Sequence, residues 1–223
     1  MNSYILALER EFHKNANPLI AAGHKAYLRD QFEFFGMTSP ERREIQKPFL
    51  TKEFLPYKKD MVKIVKFCWE KPEREYHYFA MELVSRYSKQ IEEKDIELLE
   101  YMILNNSWWD TVDYIAPTLM GNYFKKFPEK RNDYVEKWIS SKHLWLQRSS
   151  IIFQLKYKKD LDTKLLSKAI NSLLNENDFF IRKAIGWTLR EYGKVNPEWV
   201  VEFVHKTKLS NLSIKEALRR INN

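Results

Sequence analysis

Four stretches decide the fold: LVSRY at 83–87, LMGNY at 119–123, FQLKY at 153–157 and TLREY at 188–192. Each closes a run of helically spaced apolar residues on a tyrosine, and the tyrosines lie 36, 34 and 35 residues apart. After each comes a short loop and a second apolar run: IELLEYMI, YVEKWI, LLSKAI and WVVEFV. One helix pair per period is the unit of a solenoid, whose members bury their apolar faces only by stacking on neighbours. The length matches tetratricopeptide repeats, but their W-x2-L-G-x2-Y pattern is missing, and looser HEAT-like repeats suit better. The expected fold is therefore all-α, a right-handed superhelical solenoid of HEAT-like helix pairs forming one domain over residues 1–223.

Outward from the repeat, apolar residues recur at helical spacing nearly everywhere. Helices are expected at about 3–15, 18–35, 40–52, 57–70, 72–88, 93–105, 108–125, 130–140, 143–158, 163–175, 179–193, 197–206 and 213–221. Ser39-Pro40-Glu41 and Asn196-Pro197-Glu198 place a cap, a proline and an acid at helix starts. Pro48 should end or kink the third helix. With five glycines in 223 residues, tight hairpin turns are poorly supplied.

Thirty-eight lysines and arginines exceed 30 aspartates and glutamates, a net +8 that favours a polyanionic partner without naming it. The single cysteine, Cys68, excludes an internal disulfide framework and fits a reducing compartment; in KFCWE it reads as a small core residue. MNSYILALEREFHKN is amphipathic with both charge signs, unlike a signal peptide, and no apolar run approaches a membrane span. A cytoplasmic protein without a membrane partner is expected. His13, His24, His77, His143 and His205 are scattered, and no CxxC, HExxH, P-loop or GxGxxG occurs. No metal and no cofactor are expected, and an enzyme of this composition would rest on a carboxylate.

Three groups of side chains do not fit the core. On the wheel of FFIRKAIGWTLREYGK, Lys183, Trp187, Arg190 and Lys194 cluster opposite the apolar stripe. Cations beside an aromatic ring suit nucleic acid, where charges meet phosphate and the ring meets sugar or base. The plainer reading is that Trp187 packs on an adjoining helix and the cations are a solvated face. In NNSWWDTVDYIAPTLMGNYF, Trp108 belongs to the apolar stripe, while Trp109 and Asp113 lie one turn apart at its margin. An acid there needs a partner or a purpose, and a structural ion pair is the alternative to a catalytic role. Asp110 reads as a helix-terminus charge. Arg148 projects among Leu144, Ile151, Ile152 and Leu155, so it either finds a carboxylate such as Asp113 or emerges to meet phosphate. Lys183 sits one period later, suggesting a basic row across repeats, which Lys156, Lys158 and Lys159 extend.

GMTSPERR near 36–43, PEREY at 72–76, SWWDTVD at 107–113, WLQRSSIIFQLKYK at 145–158 and FFIRKAIGWTLREYGKVNP at 179–197 resemble the AlkD family of bacterial DNA alkylation repair glycosylases. The resemblance covers nearly the whole chain. It implies excision of cationic N3- and N7-alkylated purines from double-stranded DNA, with a catalytic set matching Trp109, Asp113 and Trp187 and an arginine matching Arg148. It also implies that Tyr27, in HKAYLRD, lies on an early DNA-contacting helix, and that the lesion stays stacked during the reaction. Met37-Thr38-Ser39 departs from the family pattern, which puts one DNA contact in question. The DNA-binding residues expected overall are Tyr27, Arg148, Lys156, Lys183, Arg190 and Lys194, on a chain acting as a monomer in the bacterial cytoplasm, at the nucleoid. The competing expectations are a non-catalytic DNA-binding solenoid and a protein-interaction scaffold.

Overall fold

The computed structural model describes residues 2–221. All regular structure among them is helical apart from one isolated bridge between Glu33 and Glu73. The chain forms two compact units, Met1–Gln90 and Ile91–Asn223.

The first unit holds α1 (Asn2–Lys14), α2 (Pro18–Tyr27), α3 (Ser39–Gln46), α4 (Lys58–Trp69) and α5 (Arg74–Arg86). Its core includes Leu8, Phe12, Ile64, Trp69 and Phe79. The long second helix expected over 18–35 stops at Tyr27, because Arg29 and Asp30 take left-handed backbone with φ of 57° and 56°. The following segment is held by Glu75, whose buried carboxylate accepts from Phe35 N (3.1 Å), Gly36 N (2.9 Å) and Met37 N (3.4 Å). Gly36, at φ +91°, is required there: a Cβ would stand 2.1 Å from the Asn17 carbonyl oxygen. The cap of α3 is Thr38, one residue earlier than Ser39, and it forms a capping box with Glu41. Pro48 follows the end of α3 as expected, inside a 3₁₀ turn at Lys47–Leu50.

The second unit opens with α6 (Asp95–Leu104). Then α7 (Trp109–Tyr114), a π-turn (Ile115–Met120) and α8 (Gly121–Lys126) run on from one another. Pro117 explains the π-turn. A proline inside an α-helix lacks the donor N–H and clashes with the carbonyl four residues back, here that of Asp113, and widening the turn relieves both. Next come α9 (Arg131–Ser140), α10 (Leu144–Ile152), α11 (Thr163–Ser172), α12 (Phe179–Tyr192), α13 (Pro197–Lys206) and α14 (Asn211–Leu218). The expected helix over 143–158 ends early, at Ile152. In this unit α10 packs on α12 and α12 on α14, while α9 packs on α11 and both flank α10. Two rows of helices, paired along the sequence, are what the repeat predicts.

The repeated tyrosines bind the rows together. Tyr123 Oη donates to Glu93 O (3.0 Å) and Tyr157 Oη to Gly121 O (2.7 Å), each bond reaching back about one repeat. In the first unit, Tyr87 Oη likewise donates to Pro56 O. Tyr192 sets its ring edge against Trp199 at 5.4 Å. Cys68 is fully buried on α4 beside Trp69, in the core role expected of it.

Candidate active site

Helix α7 starts at Trp109, with Asp110 in its first turn, and carries Asp113 one turn on. Trp108, at the N-cap, is not fully enclosed. It packs edge-on against Trp145 (5.7 Å) and Phe180 (5.6 Å), and its buried indole N–H has no hydrogen-bond partner. Trp109 is partly exposed.

Asp113 meets Arg148 from α10 in a two-pronged pair. Arg148 Nε donates to Oδ1 and Nη2 to Oδ2, both at 2.8 Å. The third prong, Nη1, donates to the carbonyl of Phe180 at the start of α12. The Arg148 side chain is 3% exposed and the Asp113 side chain 21%, so the cation is enclosed while the acid keeps an open edge. Arg148 Cζ lies 5.9 Å from the ring centre of Trp187 and 6.0 Å from that of Phe180. Asp113, Arg148 and Trp187 thus form one cluster drawn from α7, α10 and α12, and the helical register places Trp109 one turn from Asp113. Burial pushes the Asp113 carboxyl above the ordinary carboxylate range, against the opposing pull of Arg148.

Of the two readings of Arg148, the carboxylate partner is the one realised. Its expected contact with DNA does not match the geometry, because its guanidinium is enclosed and already serves Asp113 and Phe180. The plainer reading of the α12 cations as a solvated face also needs correction. Lys183 and Arg190 both pair with Glu216 of α14. The helical wheel gives the direction of a face but not what covers it, and α14 packs on this one. Lys194 is exposed and, among the described residues, pairs with Glu191, one turn earlier. Lys156 is exposed, donates to Thr118 Oγ1 (2.6 Å) and lies 5.9 Å from the Tyr114 ring centre. In the first unit, Tyr27 is 71% exposed at the end of α2, a helix with no buried residue.

Sequence reasoning missed three contributors: the Phe180 carbonyl, Pro117 and Glu216. Pro117, four residues after Asp113 in an apolar helix, was a legible signal; a backbone carbonyl carries none. No group of three or more His, Cys, Asp or Glu that could hold a metal ion is present among the described residues, and no described helix is long and apolar enough to cross a membrane.

These features define an all-helical protein with a half-buried carboxylate paired to an enclosed arginine that lies beside aromatic rings. The family model of the DNA alkylation repair enzymes matches residues 8–221, and the chain belongs to that family. A solved structure described as a predicted DNA alkylation repair enzyme from Enterococcus faecalis is similar over 92% of this chain and 96% of its own, at 30% identity and a TM-score of 0.86. No curated protein matches the chain.

Proposed function

We propose that the protein is a DNA glycosylase that hydrolyses the N-glycosidic bond of cationic alkylated purines, such as 7-methylguanine and 3-methyladenine, in duplex DNA. The observation that carries this is Asp113. It is an acid raised in pKa by burial, oriented at both oxygens by Arg148, left open at one edge, and joined through Arg148 to a cluster that includes Trp187.

The chemistry follows from the substrate. An alkylated purine cation leaves with the bonding electron pair as a neutral base, so no general acid is needed. The positive charge passes to the deoxyribose ring, where a fixed carboxylate in a partly desolvated setting stabilises it. Each Asp113 oxygen keeps a lone pair beyond the one taken by Arg148. One can accept a hydrogen bond from the water that adds to C1′, and the raised basicity suits taking its proton. Trp109 and Trp187 offer electron-rich faces to the cationic nucleotide; Trp187 already lies near one cation, the Arg148 guanidinium. Most enzymes acting on bases extrude them into a pocket. We place this reaction on a lesion that stays stacked, approached from the sugar–phosphate side.

Tyr27, Lys156 and Lys194 are the DNA contacts that remain exposed to make them. The whole chain acts as one domain and as a monomer, on nucleoid DNA in a bacterial cytoplasm, and the chemistry requires neither cofactor nor metal. The test is release of 7-methylguanine from alkylated duplex DNA in the presence of a chelator. Tight, salt-sensitive binding with no release would mark a non-catalytic DNA-binding solenoid. Absence of both would leave a protein scaffold.

A further inference from the structure

Outside the Asp113 cluster, the second unit holds another enclosed carboxylate. Glu216 of α14 is 7% exposed at its side chain and pairs with two cations of α12, Lys183 and Arg190. These flank Trp187, one turn before it and one turn after. The helices meet closely there. A Cβ on Gly186 would stand 2.5 Å from Glu216 Cβ and 2.8 Å from the Ser213 carbonyl oxygen, so only glycine permits this approach. Ser213 Oγ donates to Arg182 O (2.8 Å), a third tie between the same two helices.

We propose that Glu216 is a positioning residue for Trp187, and so for the excision reaction; the second half of this inference rests on the glycosylase reading above. By drawing Lys183 and Arg190 toward α14, Glu216 fixes the rotation of α12 about its axis. Trp187 is then the member of that face that turns to Arg148, at 5.9 Å. Glu216 also balances a dense group of positive charge. Burial, with the charges of Arg190, Arg219 and Arg148 adding to it, pushes the Lys183 ammonium below the ordinary lysine value. Without Glu216, Lys183 becomes a rival cation beside the Asp113–Arg148 pair, and α12 loses the anchor that sets the ring.

The experiment has two arms. In the first, full-length protein is labelled with 5-fluorotryptophan, the Trp187 fluorine resonance is assigned with Trp187→Phe, and Glu216→Gln is introduced to keep the side-chain size and remove the charge. The Trp187 resonance is expected to move while those of Trp69 and Trp138 stay in place, and Glu216→Asp is expected to return it toward its wild-type position. An unmoved Trp187 resonance in folded Glu216→Gln overturns the proposal. Should Glu216→Gln fail to fold, Lys183→Met is read in the same way. The second arm is single-turnover release of 7-methylguanine. Glu216→Gln should slow it about 10- to 100-fold, the scale of a small misplacement of a reacting group, with unchanged DNA affinity. Glu216→Gln combined with Trp187→Phe should be no slower than Trp187→Phe alone. Fully multiplicative losses would show that Glu216 does not act through Trp187. Wild-type protein that releases no base refutes the glycosylase reading, while the fluorine spectra still decide whether Glu216 sets Trp187.

Discussion

Two carboxylates in the second unit face cations across neighbouring helices, and they are built for different ends. Glu216 meets two cations and is almost closed to solvent. Asp113 meets one, keeps a fifth of its side chain open, and stands within a cluster that includes Trp187. An acid outnumbered by its cations works as a strut. An acid matched one to one by a fork of hydrogen bonds, with burial still raising its pKa, is held in place yet remains basic. The bare fact of being ion-paired would treat the two alike; exposure and stoichiometry tell them apart.

The sharpest way to break the comparison is to remove the charge of Asp113. Asp113→Asn keeps the shape, and single-turnover excision of 7-methylguanine should fall by about 10²–10³-fold or more, the loss typical of deleting a group that stabilises transition-state charge. Affinity for the same duplex should change only a few-fold. Excision within a few-fold of wild type would remove Asp113 from the chemistry and make it a second strut.

Arg148→Ala attacks the other member of the pair. Its guanidinium fills an enclosed site with three hydrogen bonds, so its loss leaves Asp113 without its cation and a gap at the start of α12. Breaking a buried pair by removing one partner typically costs about 3–5 kcal/mol. Chemical denaturation should show a loss on that scale, with excision impaired as well. Lysine at 148 restores charge without the fork, so Arg148→Lys should recover only part of the stability.

The same pair sets a pH dependence. Asp113 must be ionised to act, and its pKa is raised, so excision should climb with pH through a limb centred above the ordinary carboxylate range. The stability sign is opposite. A carboxyl with a raised folded pKa favours the folded state below the unfolded value, and that contribution fades as pH rises through the folded one. Arg148 opposes the raising, so Arg148→Lys, a weaker partner, should move the excision limb to higher pH. A limb that does not move between the two proteins would separate the pH dependence from Asp113.

How far this was legible in the sequence depends on the range of the forces involved. The tyrosine period was legible because Tyr87, Tyr123 and Tyr157 each repeat one task, a hydroxyl that reaches back about one repeat. The end of α2 was not: Arg29 and Asp30 are left-handed without a glycine to mark the turn, and the segment after them is fixed by Glu75, some 40 residues away. Asp113, Trp109 and Arg148 showed themselves as misfits on apolar stripes, which a helical wheel detects. The partner of Arg148 stayed open, because a wheel carries no distance between helices. The pairing of Lys183 and Arg190 with Glu216 was missed for the same reason: their face is polar, and Glu216 lies on a short final helix whose register says nothing of what it packs against.

That missed pairing supplies the gentlest test of the comparison. If Lys183 belongs to the Glu216 strut and Lys156 to the DNA surface, the two lysines should differ in the salt dependence of binding. Each phosphate contact contributes about 0.9 to the slope of log affinity against log salt for duplex DNA. Lys156→Ala should therefore flatten that slope by about 1. Lys183→Ala should leave the slope unchanged, because its ammonium already has a carboxylate partner in the free protein. Equal flattening by both would mean that DNA draws Lys183 away from Glu216, and would turn the strut into part of the binding face.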